Sequence, residues 1–335
     1  MHKYFLSLCC IIKNERYIEE FIIYYILQGV EHLYIYDNDS SNPLRKRLNN
    51  FYFNKYITVI DFPGKYQQVP SYNHCLKTFG KLTKWLIVVD GDEYILPIKN
   101  EYNSIRDFLN DYDDAHAIGI NWIFFKSSFH EKIQQGFLID KYRYSTGIQD
   151  RHIKTICKPE FTTSFYIHDC IVIDPSKYID SKRNIISGPW NSNYTIDIIR
   201  INHYWGRSAE EVIEKYNRGN ADTDNRICIP TNIHEDNNII DNILPDRYLE
   251  IIKKLRFILG VNNEIYAALN PDLKSICKTP DDYYNHLINN CLKESRYLHI
   301  RDKFPNFNRE EYRLKNPNLF ELDDLKLELH YIKNN

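Results

Sequence analysis

Trp85-Leu86-Ile87-Val88-Val89-Asp90-Gly91-Asp92-Glu93-Tyr94 is the stretch on which the fold turns. Its run of apolar residues fits a strand buried on both faces. That strand passes straight into Asp90, Asp92 and Glu93, three acids within four residues. In an extended step the side chains at i and i+2 point the same way. Asp90 and Asp92 can therefore face one divalent cation, with Gly91 leaving room for a diphosphate. Mg²⁺ and Mn²⁺ favour such carboxylates together with phosphate oxygens. The plain alternative is an acidic surface turn, because Asp-Gly is ordinary turn chemistry. Crowding of three acids at the mouth of a buried strand favours the cation, since their repulsion needs relief.

Outward from this stretch, strands and helices alternate. Tyr4–Ile12 is a continuous apolar run and reads as a buried strand. Glu15–Gln28 carries Ile18, Phe21, Ile22, Tyr25 and Ile26 at helical spacing, and Gly29 stands where a helix commonly stops. His32–Tyr36 and Ile57–Phe62 read as strands, closed by Asp37-Asn38-Asp39-Ser40 and Pro63-Gly64. Ser71–Gly80 reads as a helix capped by Ser71, and Ala117–Phe125 as another strand. This order predicts an α/β fold with a mostly parallel sheet and right-handed crossovers. Ligands in such sheets sit beyond the carboxyl ends of the strands. That rule selects Lys13-Asn14-Glu15, Asp37-Asn38-Asp39 and Asp90-Gly91-Asp92-Glu93.

The chain has 335 residues, 43% hydrophobic and 26% charged, with a net charge of −2. Near-neutrality supplies no field for gripping a phosphate backbone, so nucleic acid is not an expected partner. Eight cysteines without a CxxC pair exclude a zinc ribbon and read as free, buried thiols. No apolar run reaches the roughly 20 residues of a spanning helix. Lys13-Asn14-Glu15 interrupts the first run before any cleavage site, so a cytoplasmic protein is expected. Many Tyr, Asn and Ile with few Gly fit an AT-rich coding genome.

Several pieces, in order, resemble glycosyltransferase family 92 and related family 2-like enzymes. They are Ile12-Lys13-Asn14-Glu15, Tyr17-Ile18-Glu19-Glu20-Phe21, Gly29-Val30 and Tyr34-Ile35-Tyr36-Asp37-Asn38-Asp39-Ser40. Gln67, Tyr72-Asn73-His74-Cys75-Leu76 and the Trp85–Tyr94 stretch follow. Trp122-Ile123-Phe124-Phe125 resembles the acceptor-side segment. His203-Tyr204, Ser208-Ala209-Glu210-Glu211 and Lys215 resemble a later one. Phe21 departs from the Trp usual in the family. The likeness spans roughly residues 4–225 and implies a GT-A fold, a nucleotide-sugar donor, a divalent metal and an inverting transfer. UDP-galactose is the first expected donor, then UDP-GlcNAc or UDP-glucose, with a glycan or glycoprotein as acceptor.

On this reading Asp90 and Asp92 hold Mn²⁺ or Mg²⁺, which stabilises the departing diphosphate as a Lewis acid. His203 is the candidate third ligand, with His168 its competitor; the alternative for His203 is a half-buried histidine packed by Tyr204 and Trp205. Asp37 can accept hydrogen bonds from the nucleoside, or can cap its own turn. Lys13, Asn14, Asn38, Gln67, Asn73 and Asp90 are the further donor-side candidates. Glu15 can instead begin a helix. Inversion needs a general base, for which Asp169 stands first, then Asp150 and Glu211. Trp122 and Phe125 can stack on an acceptor sugar, or can be core.

The expected domains are a GT-A domain at 1–240 and a helical region at 241–335. The latter holds two similar units: Tyr266 with Asn270-Pro271-Asp272-Leu273, and Tyr312 with Asn316-Pro317-Asn318-Leu319. Such units serve as a cap or as an oligomerisation surface for a homo-oligomer. They resemble units attached to some viral and bacterial glycosyltransferases, and with the composition they fit a large DNA virus as source. Two rival functions remain at this stage: a nucleotide-sugar hydrolase or pyrophosphorylase, and a non-catalytic glycan-binding scaffold.

Overall fold

The computed structural model describes residues 2–49, 51–219, 239–259, 261–290, 294 and 296–335. It divides into two compact units, 1–250 and 251–335. Six cysteines (Cys9, Cys10, Cys75, Cys157, Cys170 and Cys277) are free and buried, while Cys228 and Cys291 lie outside the described residues. No helix among the described residues is long and apolar enough to cross a membrane.

The first unit carries strands β1 (Tyr4–Ile12), β2 (His32–Asp37), β3 (Ile57–Asp61), β4 (Thr83–Val88), β5 (Glu93–Pro97) and β6 (Ala117–Phe125). After these come β7 (Tyr144–Cys157), β8 (Thr162–Phe165), β9 (Cys170–Val172), β10 (Tyr178–Asp180), β11 (Ile199–His203) and β12 (Ile239–Ile240). The main sheet runs β3-β2-β1-β4-β7-β6-β11-β5, with β10 beside β6 and β12 beside β7. The first four strands are mutually parallel. Then β7 enters antiparallel between β4 and β6, and β5 closes the edge antiparallel to β11. The result is the mixed, mostly parallel, GT-A-like α/β sheet expected, with β8 and β9 forming a separate hairpin.

Apolar runs form the central strands because both sheet faces are covered. Leu8, Ile35, Ile87 and Ile118 are completely buried. The helix Ile18–Leu27 packs Phe21 and Tyr25 on Tyr94 and ends at Gly29, whose φ of 86° suits glycine. It begins after Glu15 rather than at it. The next helix is Gln68–Phe79, three residues earlier than the Ser71 start expected. Pro70 sits in its first turn, and the Ser71 hydroxyl donates to the Gln68 carbonyl (2.7 Å) instead of capping.

Strand direction assembles the site. The carboxyl ends of β1, β2, β4, β6 and β11 share one edge with the start of β5, so residues 13–15, 37–39, 90–93 and His203 gather there.

The second unit is helical. Asn262 caps Asn263–Leu269 and, 46 positions on, Asn308 caps Arg309–Lys315. The Tyr266 hydroxyl meets His286 Nδ1 at 3.0 Å, as the Tyr312 hydroxyl meets His330 Nδ1 at 2.9 Å.

Candidate active site

Asp90 and Asp92 do not share one partner. Asp90 Oδ2 pairs with Lys154 Nζ at 2.9 Å, and its Oδ1 accepts from Gln68 Nε2 (2.7 Å) and the Tyr72 hydroxyl (2.8 Å). Burial alone would raise the Asp90 carboxyl, but Lys154, with the Tyr72 hydroxyl, holds it below the usual range. Lys154, 1% exposed, comes from the C-terminal part of β7 and also donates to the Ile167 carbonyl (3.0 Å). Glu93 is fully buried behind the pair, its Oε2 accepting from the Asp90 N–H (2.8 Å); burial pushes its carboxyl well above the usual range. Gly91 gives up its side-chain space to Ile12: a Cβ there would stand 2.4 Å from Ile12 Cδ1.

Asp92 faces the other way. Its Oδ2 accepts from Lys215 Nζ at 2.7 Å, and its Oδ1 lies 3.5 Å from His203 Nε2. Burial opposes ionisation, yet Lys215 and then His203 hold this carboxyl well below the carboxylate range. Burial lowers His203, so its ring is neutral near pH 7, packed by Trp122 (4.5 Å between centroids) and Phe124 (5.2 Å). Among the described residues no three carboxylate, imidazole or thiol groups form a metal cage. The donor pair Asp92 Oδ1 and His203 Nε2 still fits a cation that takes its remaining ligands from phosphate and water. The structure therefore separates the expected trio, joining His203 to Asp92 and leaving Asp90 to Lys154.

Asp37 uses both carboxylate oxygens on its own turn, accepting from Ser40 N (3.1 Å) and Leu44 N (2.8 Å). Asn38 Nδ2 donates to the Phe62 and Gly64 carbonyls (2.9 and 2.8 Å). Asn14, at φ 56°, accepts from Ser41 N (2.7 Å), and the Lys13 carbonyl accepts from Arg218 (2.5 Å). Gln67 donates only locally, to the Lys65 carbonyl (2.9 Å), and Asn73 ties itself to Phe165 N and O. Their neighbours Gln68 and Tyr72 are the ones that reach Asp90.

A cleft of about 680 Å³ opens at this edge, lined by Asn14, Arg16, Arg47, Arg207, Lys215 and Arg218, among others. Arg207 grips Glu15 with two nitrogens (2.9 and 3.1 Å) and is nearly buried. Sequence reasoning assigned no role to Lys154, Gln68, Tyr72, Arg207 or Lys215. Tyr72 and Lys215 stood in stretches that resemble the family, and Glu211 and Lys215 lie one helical turn apart, but neither signal names a charge partner.

Trp122 is flanked by three imidazoles: His203 itself, His152 (5.1 Å, stacked) and His168 (5.2 Å). Burial drops His168 to about 4, and its ring meets Trp122 and His152. Phe125 packs on Tyr204 (4.6 Å), whereas Phe124 shares the Trp122 face, as alternation along β6 requires. Among the expected bases, Glu211 is buried in the first turn of the helix Ala209–Arg218, accepting from Ser208 Oγ (3.0 Å) and the Tyr142 hydroxyl. Asp169 is half-buried in the turn after β8, and burial raises its carboxyl. Asp150 on β7 accepts from the backbone N–H of His152 (2.7 Å) and from its Nδ1 (2.6 Å).

Comparison with known proteins covers the same region. Glycosyltransferase family 92 matches residues 4–234. A family 92 protein of Ricinus communis is 25% identical over 227 residues, spanning 64% of this chain and 37% of that protein. One from Oryza sativa subsp. japonica is 26% identical over 160 residues, 46% of this chain and 27% of its own. This chain thus spans about a third of the length of these curated relatives. Among solved structures, S. aureus TarS 1–349 in complex with UDP is 16% identical, with a TM-score of 0.33 over 47% of each chain. With a family match across more than half its length, the chain belongs to glycosyltransferase family 92.

Proposed function

We propose that this protein transfers a hexose, with inversion, from a UDP-sugar to a glycan or glycoprotein hydroxyl, UDP-galactose being the first donor to test. The observation that carries this is the joining of Asp92, His203 and Lys215 at the strand ends, beside a cleft walled by arginines. Family membership supports the reaction class. Asp92 and His203 would hold Mn²⁺ or Mg²⁺, which supplies Lewis-acid stabilisation of the diphosphate leaving group. The Lys215 ammonium adds positive charge at the same place. Asp90, fixed by Lys154, Gln68 and Tyr72, presents a carboxylate edge toward the donor. Arg47 donates to the Glu15 and Arg16 carbonyls and Arg218 to that of Lys13, so the donor loop is held before substrate arrives.

The test is release of UDP from UDP-hexoses in the presence of Mn²⁺, with and without a chelator. Asp92→Ala and the chelator should each lower turnover about 10²–10³-fold. Undiminished turnover in both arms removes the metal role, and free hexose formed without acceptor dependence would mark a hydrolase.

A further inference from the structure

We infer that His152 is the general base of the transfer, with Asp150 as its positioning residue. The inference rests on the transferase reading above and adds the acceptor half of the site.

Asp150 Oδ1 lies 2.6 Å from His152 Nδ1 and 2.7 Å from the His152 backbone nitrogen. An ionised carboxylate only accepts, so Nδ1 carries the proton and the Nε2 lone pair is left free to act. The imidazole is fixed on a second side by its stacking on Trp122, at 5.1 Å and 21°. The same Trp122 packs on His203, whose Nε2 is 3.5 Å from Asp92. One indole thus separates the basic nitrogen from the expected diphosphate end of the donor. The His152 side chain is 35% exposed, open to an acceptor and to the solvent that must later take its proton.

Next to it stands Trp190, whose backbone bridges to His152 and whose ring lies 6.3 Å from the imidazole. Trp190 is 49% exposed, with the Arg151 guanidinium 4.3 Å over its ring. An exposed indole beside a poised base suits the apolar face of an acceptor sugar. The other expected bases are placed less well. Glu211 is buried in a helix's first turn and tied to Ser208 and Tyr142, and Asp169 sits in the β8–β9 turn.

In the step itself, the acceptor hydroxyl oxygen forms a bond to the anomeric carbon while its proton passes to His152 Nε2. The anomeric carbon–phosphate oxygen bond breaks, and its electron pair leaves with UDP. Asp150 keeps its hydrogen bond to Nδ1–H and balances the imidazolium. Water then removes the proton.

The test uses the full chain with UDP-galactose, UDP-glucose and UDP-GlcNAc, Mn²⁺, and free hexoses and aryl hexosides as acceptors. His152→Ala and His152→Gln should lower kcat about 10²–10⁴-fold, with donor KM and stabilisation by UDP and Mn²⁺ within twofold of wild type. Added imidazole should restore part of the His152→Ala rate. Asp150→Asn should lower kcat at unchanged KM, and Asp150→Glu should recover much of it. Wild-type kcat in His152→Gln overturns the assignment, as does a lost rate that imidazole leaves unmoved while Asp150→Asn stays fully active. If wild-type protein turns over none of these donors and gains no stability from UDP with Mn²⁺, the transferase reading falls and the dyad falls with it.

Discussion

Arg207 lies along Glu15 with two parallel hydrogen bonds, both side chains nearly out of water. Such a pair contributes little by its attraction alone, because each charge gives up hydration; breaking one half leaves the other buried and uncompensated. Arg207→Met should therefore destabilise by about 3–5 kcal/mol, and Arg207→Met with Glu15→Leu should regain most of it, read from urea midpoints. A second residue-scale test separates neighbours. Gln68→Ala removes a hydrogen bond to the Asp90 carboxylate and should cost about 1.5–3 kcal/mol, whereas Gln67→Ala, bonded only to a local carbonyl, should stay within about 0.5 kcal/mol. Sequence reading named Gln67 and Asn73, whereas their neighbours Gln68 and Tyr72 are the ones bonded to Asp90. Gln67 and Gln68 are one type of residue, and Asn73 looks no less polar than Tyr72. Which of them turns inward depends on where the helix starts, and Ser71 suggested a start one turn too late. The acids themselves were legible, since three carboxylates after a buried strand can be seen without any contact. Their lysine partners were not, because pairing across a sheet leaves no local trace.

At the scale of elements, β1, β2, β4 and β6 were readable because burial on both faces writes a continuous apolar run. β7 is as central, but its sequence carries Asp150, Arg151, His152 and Lys154. It turns a polar side toward the site, and that side erases the pattern by which a core strand is recognised. The antiparallel insertion of β7 was hidden for the same reason, as was its role in bringing Lys154 to Asp90 and His152 to Trp122. The helix Ala209–Arg218 shows the opposite case. Ser208 accepts from the Glu211 N–H (3.3 Å) and donates to the Glu211 carboxylate, a start signal plain in Ser208-Ala209-Glu210-Glu211. Ser208→Ala should cost about 0.5–2 kcal/mol in thermal or urea unfolding. Donor KM should rise with it, because Lys215 is carried by that helix.

For the molecule as a whole, a buried histidine contributes to acid sensitivity. Burial, with Lys3 nearby, lowers His32 to about 4 in the fold, against about 6.5 when unfolded. The unfolded chain then binds more protons between those values, so stability is full above pH 6.5 and declines as pH falls toward 4. The decline attributable to His32 is about 3 kcal/mol over the whole window. His32→Asn should flatten the slope of urea midpoint against pH there, and an unchanged slope would assign the acid loss to other groups. Scale also fixes the order in which the site can exist. Lys215 follows Asp92 by 123 residues. At about 5–20 residues per second, a ribosome takes roughly 6–25 s to bridge that interval. Throughout it the nascent chain must leave Asp92 in water or paired with a free ion, so this carboxylate exists for many seconds before the ammonium that neutralises it.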